Sequence, residues 1–182
     1  MKNAAVTAFF VMVLVTGTTA QNAKSEKRLP RDTRTSCQAF VQGFYDWYVP
    51  LALQERAVRT WDFAVKRKPN VFSPQLRRAI KQDSDAQQKA SKTTGELVGL
   101  DFDPFLNSQD PSKRFAVESV TVKGTGCRVT VYGVSEGERE KVTPEVKLEH
   151  GHWQFINFQY EFDGHPDDLL SILKLLRSDD GH

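Results

Sequence analysis

The sequence predicts an α+β domain, with N-terminal helices packed on one face of a curved four-stranded antiparallel sheet and a further helix at the C-terminal end. Three observations lead there. Apolar residues recur at helical spacing from Cys37 to about Ile80. The period changes to two between Phe115 and Phe162. It returns to helical spacing from Leu169 to Leu176. Segregated runs of this kind favour α+β over regular alternation of strand and helix.

The chain opens MKNAAVTAFFVMVLVTGTTAQ. Lys2, the uncharged run Ala4 to Val15 and the small residues Thr18-Thr19-Ala20 make the charge, apolar core and cleavage pattern of a secretory signal over residues 1–20. The run is shorter than the roughly 20 apolar residues a membrane span needs. No cysteine stands at the cleavage point, so no lipid anchor is expected, and no later segment reads as a span. The expected destination is the periplasm or the cell exterior. Residues 21–34, polar with one proline, read as a flexible leader, residues 35–178 as a single domain and 179–182 as a tail.

The elements follow in order. Thr35 and Gln38 have the spacing of a capping box. The helix they open places Cys37, Phe40, Phe44, Trp47, Tyr48 and Leu51 on one face, points Asp46 away, and should end or kink at Pro50. A second helix is expected over QERAVRTWDFAVKR, with Val58, Trp61 and Val65 inward, closed by Lys68-Pro69-Asn70. Ser73 as N-cap and Pro74 at the first position start a third, whose thin stripe is Leu76 and Ile80 and which breaks at Thr93-Thr94-Gly95. Four strands come next, turning at Gly124-Thr125-Gly126, at the polar loop 135–140 and at His150-Gly151. In the last, HWQFINFQYEF, the apolar phase shifts at Phe155–Ile156, as either a bulge there or a strand apolar on both faces would cause. Pro166-Asp167-Asp168 reads as the acidic first turn of the final helix, with Leu169, Ile172, Leu173 and Leu176 buried.

Charge is unevenly placed. Residues 56–92 carry ten Lys/Arg against three Asp, and residues 93–182 nine Lys/Arg against sixteen Asp/Glu. The basic half lies on helices without interleaved aromatics, which reads as solvated helix faces rather than a nucleic-acid surface. Cys37 and Cys127 are too far apart for a tight metal motif, and fit either a disulfide or two free buried thiols.

Candidate chemistry concentrates in Leu100-Asp-Phe-Asp-Pro-Phe-Leu-Asn-Ser-Gln-Asp110. An EF-hand loop opened at Asp101 would put Phe105, Leu106 and Ser112 where a ligand, a glycine and a bidentate glutamate are required, so no such site is expected. His150 and His152 lack a third ligand, and no metal or cofactor is expected. Asp103 before Pro104 reads as the cap of a helical turn that tucks Phe105 and Leu106 inward, and Asp110-Pro111 as a turn opening. That leaves Asp101, Asn107 and Gln109, facing either a cavity or the backbone, with Tyr45 and Tyr48 as polar partners. No nucleophile elbow or phosphate-binding glycine loop is present, so catalytic residues stay unassigned.

FVQGFYDWYV, SPQL, GLDFDPFLNSQD, WQFINFQY and DLLSILKLLR, in this order from about Cys37 to Arg177, resemble the bacterial exported family called domain of unknown function 3828. The resemblance implies a cone-shaped fold similar to nuclear transport factor 2 and the cystatins, a bent sheet around a long helix. Several members of that family are lipoproteins, whereas this chain lacks the lipid-accepting cysteine. No activity is carried over. The expected function is a non-enzymatic binding or interaction domain of the cell envelope, its partner a small molecule or an envelope protein. The alternative is an isomerase, dehydratase-like or hydrolase enzyme using a pocket in the cone, with Asp101 as its acid or base. That alternative rests on fold analogy.

Overall fold

The structure, a computed structural model, describes residues 33–55, 57–134 and 140–179. The expected signal sequence, most of the leader and most of the 135–140 loop lie outside the described residues. In chain order the elements are α1 (Thr33–Ala52), α2 (Thr60–Arg67), a 3-10 turn (Pro69–Val71), α3 (Pro74–Thr93), β1 (Phe115–Lys123), β2 (Gly126–Gly133), β3 (Lys141–Glu149), β4 (His152–Phe162), β5 (His165–Asp168) and α4 (Leu169–Asp179). The fold is α+β. Its sheet is an antiparallel meander in the order β1-β2-β3-β4-β5, so it has five strands where the sequence predicts four.

The fifth strand replaces the expected first turn of the last helix. Asp163 and Gly164 both adopt positive φ, 49° and 78°, which makes a tight hairpin turn. The turn folds His165–Asp168 back along β4, and Pro166 is tolerated there because the strand lies at the edge of the sheet. Asp168 then caps α4, accepting from the Ser171 N–H at 3.1 Å.

α1 starts at Thr33, ahead of the expected capping box, so Thr35 and Gln38 lie inside it. A tertiary tie holds this first turn, since the Arg34 guanidinium donates to the Val120 carbonyl of β1 at 2.6 Å. Pro50 does not end the helix. It removes one N–H from the last turn, and the ladder resumes with Leu53 N–H donating to the Val49 carbonyl at 3.1 Å. α2, by contrast, begins six residues later than the pattern predicts. Arg59 is extended, with φ −54° and ψ 133°, and its side chain is drawn toward α3, leaving Val58 outside the helix and exposed. α3 starts as expected, with the Leu76 N–H donating to the Ser73 hydroxyl at 3.2 Å.

The bulge in β4 is where the change of phase predicts it. Glu145 pairs with Asn157 and Val146 with Phe155, so Ile156 is the extra residue. The Phe155 carbonyl accepts the Ser73 N–H at 2.8 Å, which latches the entry of α3 to the sheet.

The helices cover one face of the sheet. That face presents Phe115, Val120, Cys127, Val129, Val131, Val142, Val146, Phe155, Phe158 and Tyr160, all buried, to Cys37, Val41, Phe44, Tyr45 and Tyr48 of α1 and to Leu169 and Leu173 of α4. Aromatic rings fill the centre. Phe44 sits 4.7 Å from Phe155 and 5.7 Å from Phe105, centroid to centroid, and Phe105 lies 5.2 Å from Phe72 and 4.9 Å from Phe158. Rings at these separations and tilts add edge-to-face and offset contacts to the apolar area they bury.

Candidate functional site

The segment 100–110 crosses one end of this core. Pro104 to Asn107 form a tight turn, closed by Asp103 N–H donating to the Ser108 carbonyl at 2.9 Å. Phe105 and Leu106 are buried, as their place after Pro104 predicts. Tyrosine hydroxyls hold the turn. Tyr45 donates to the Phe105 carbonyl at 2.9 Å and Tyr160 to the Pro104 carbonyl at 2.6 Å. Tyr48 donates to Asp103 Oδ2 at 2.6 Å, and Asp103 Oδ1 accepts from the Phe105 N–H at 2.9 Å.

Asp103 is thus the buried carboxylate of the segment, and its reading as mere punctuation is corrected. It does cap the turn, but it is also the partner of a core tyrosine. Burial pushes its carboxyl up to about 6, against the lowering effect of the Tyr48 hydroxyl and the Phe105 and Leu106 N–H groups. The same burial raises Tyr45, Tyr48 and Tyr160 well above the usual phenol value, helped by the Asp103 charge.

The five candidate residues do not converge. Asp101 and Gln109 are exposed and line a shallow cleft of about 260 Å³ together with Thr60, Trp61, Phe102 and Asp103. Asn107 lies outside that cleft, half-buried at φ 54°, its amide donating to the Lys141 carbonyl at 3.1 Å. Tyr45 and Tyr48 are inside the core. The indole N–H of Trp61 is buried and has no hydrogen-bond partner among the described residues.

A second constellation went unread in the sequence. Arg59 Nε bonds Asp62 at 2.9 Å, its Nη1 bonds Asp83 at 3.1 Å and its Nη2 donates to the Ser84 hydroxyl at 2.7 Å. Ser84 in turn donates to Asp62. Asp83 is only 3% exposed and also accepts the Leu100 N–H at 3.2 Å. Burial raises its carboxyl, and the Arg59 guanidinium and the Leu100 N–H oppose that rise. The basic helix faces are therefore not all solvated. A usable signal was present, because Asp83 continues the Leu76–Ile80 stripe at helical spacing, and a carboxylate on a buried stripe requires a cation.

Beside this cluster, between α2, α3 and the loop after α3, runs an open groove of about 880 Å³. Val58, Val65, Ile80 and Leu97 supply apolar lining, and Arg59, Lys66, Arg77 and Lys81 bring positive charge that exceeds the negative charge of Asp62 and Asp85. Leu97 is 91% exposed and Val58 57%. The Nε of Arg77 is buried without a hydrogen-bond partner among the described residues. Lys81 is paired with Asp85 at 2.7 Å, one helical turn on.

No family model matches the chain, and no curated protein matches it. Two solved structures resemble part of it. One is a protein of unknown function from Bacteroides thetaiotaomicron, with TM-score 0.47 and 12% identity over 69% of this chain and 89% of that one. The other is a chain of the type VI effector-immunity complex Tae3-Tai3 from Ralstonia pickettii, with TM-score 0.41 and 17% identity over 69% of this chain and 94% of that one. Among the described residues no helix is long and apolar enough to cross a membrane, and no group of three or more His, Cys, Asp or Glu side chains could hold a metal ion.

Proposed function

We propose that the chain is an exported cell-envelope protein of the domain of unknown function 3828 type, and that its folded domain binds a partner without reacting it. The groove between α2 and α3 is the binding surface. The observation that carries this reading is the contrast between the two regions. The interior between α1 and the sheet is packed with aromatic rings, and the core tyrosine hydroxyls already bond within the chain. The groove instead leaves Leu97 and Val58 to solvent and a buried Arg77 nitrogen without a partner among the described residues. Exposed apolar side chains beside basic ones suit a partner segment that alternates carboxylates with apolar residues. The cone-like arrangement of helices on one face of the sheet belongs to the same proposal.

The test is selection of a random-sequence peptide library on the full chain. Selected peptides should be acidic and apolar, and should lose binding at least tenfold to Arg77→Glu and to Leu97→Asp. Peptides without acidic bias, or binding that survives both substitutions, would count against the groove.

A second reading is supported by Asp103. A carboxyl held near 6 beside a cleft lined by Trp61 and Asp101 has a titration range suited to acid–base work on a small molecule. Both Asp103 oxygens already carry internal bonds, which places this reading second.

A further inference from the structure

Cys37 opens the buried face of α1 and Cys127 begins the inner-face row of β2. The two thiols are adjacent in the core, the Cys37 S–H donating to the Cys127 sulfur, and both are buried. Their backbones are held at this height by independent bonds. One helical turn before Cys37, the Arg34 guanidinium donates to the Val120 carbonyl at 2.6 Å. Val120 pairs with Val129, and Cys127 pairs with Val122, so the tie and the thiol pair grip the same β1–β2 hairpin. A thiol is a weak donor, and two of them in an apolar layer gain little from each other as thiols.

We propose that Cys37 and Cys127 form an intramolecular disulfide that staples the N-terminal turn of α1 to the β1–β2 hairpin. The oxidant is a low-molecular-weight or protein disulfide. A thiolate of this pair attacks one of its sulfurs to form a mixed disulfide. The second cysteine, losing its proton, then displaces the oxidant's other half. The bond gained is Cys37 Sγ–Cys127 Sγ, the two cysteines lose two protons and two electrons, and the oxidant leaves as two thiols. Burial raises both thiols above the usual value in the folded chain, so the exchange takes place during folding, before the pair is sealed in the core. The linkage closes the chain between α1 and β2, a long loop, so its effect on the unfolded ensemble is large. The proposal is independent of the groove.

The test uses the full chain, unfolded with reductant, refolded in a mixture of reduced and oxidised glutathione, then denatured and alkylated with iodoacetamide. The expected product is unalkylated and lighter than the reduced chain by two hydrogen atoms, and its non-reduced digest contains one peptide pair linking Cys37 to Cys127. Two alkylated cysteines, glutathione adducts or linked dimers would overturn the proposal. As a second measurement, adding dithiothreitol to the oxidised chain should lower its Tm by roughly 10 °C. The Cys37→Ser/Cys127→Ser chain should show no dithiothreitol dependence. Equal Tm values for the wild-type chain with and without reductant would also overturn it.

Discussion

Tyr48 donates a 2.6 Å hydrogen bond to the carboxylate of Asp103, joining the C-terminal part of α1 to a turn 55 residues further along the chain. Both groups are buried. Removing the donor with Tyr48→Phe leaves a buried carboxylate one bond short, and should cost about 1.5–3 kcal/mol in urea denaturation at pH 7.

Asp103 also makes stability depend on pH. Its carboxyl is raised from an ordinary value of 3.8 to about 6 in the folded chain. A raised carboxyl favours the protonated folded state, so its contribution is fully present below pH 3.8 and is lost as pH rises through 6. Between pH 4 and pH 7 the stability difference between the wild-type chain and Asp103→Asn should shift against the wild type by about 2 kcal/mol. Denaturation of both proteins across that range measures the shift, and parallel curves would contradict it.

Phe105 meets Phe44, Tyr48, Phe72 and Phe158 at centroid distances of 4.9–5.7 Å. Phe105→Ala should destabilise the domain by about 3–5 kcal/mol, because the ring is fully buried and these neighbours cannot all collapse into the space it leaves.

The Arg59–Asp83 pair predicts a pattern rather than a single value. Asp83 is nearly inaccessible and the Arg59 side chain is 17% exposed, so Arg59→Ala strands a buried carboxylate and should cost about 2–4 kcal/mol. Arg59→Met combined with Asp83→Leu should recover much of that loss. A double variant as unstable as the sum of the two single variants would show that the pair is not coupled.

Gly99 and Gly95 make an internal comparison. Both have positive φ, 85° and 74°, but a Cβ at Gly99 would also collide with Asp83 Oδ1, whereas at Gly95 it would meet open space. Gly95→Ala should cost about 1 kcal/mol from strain alone, and Gly99→Ala clearly more. At Leu97, between them, Leu97→Asp should stay within about 0.5 kcal/mol of wild type, since that side chain makes little contact with the folded chain.

Much of the architecture was legible in local signals. Ser73-Pro74 starts α3 because capping is a property of neighbouring residues. The phase change at Phe155–Ile156 marks the bulge because each strand position faces one side of the sheet. Phe105 and Leu106 turn inward after Pro104 for the same local reason. The fifth strand was missed because Pro166-Asp167-Asp168 suits a helix start as well as an edge strand. Only the positive φ values at Asp163 and Gly164, which fold the segment back on β4, separate the two.

The candidate site was less legible. Within 100–110 the sequence by itself determined the turn, its anchors and its polar residues, because these depend on a few consecutive side chains. Tertiary structure alone decided which aspartate is buried. Asp103 stands where α1 brings Tyr48 to meet it, while Asp101, two residues earlier, faces solvent. Likewise, the pairing of Arg59 with Asp83 and the side-by-side placement of Cys37 and Cys127 come from packing α2 on α3 and α1 on the sheet. Desolvation and long-range pairing depend on which elements meet in space, and one-dimensional spacing does not carry that information.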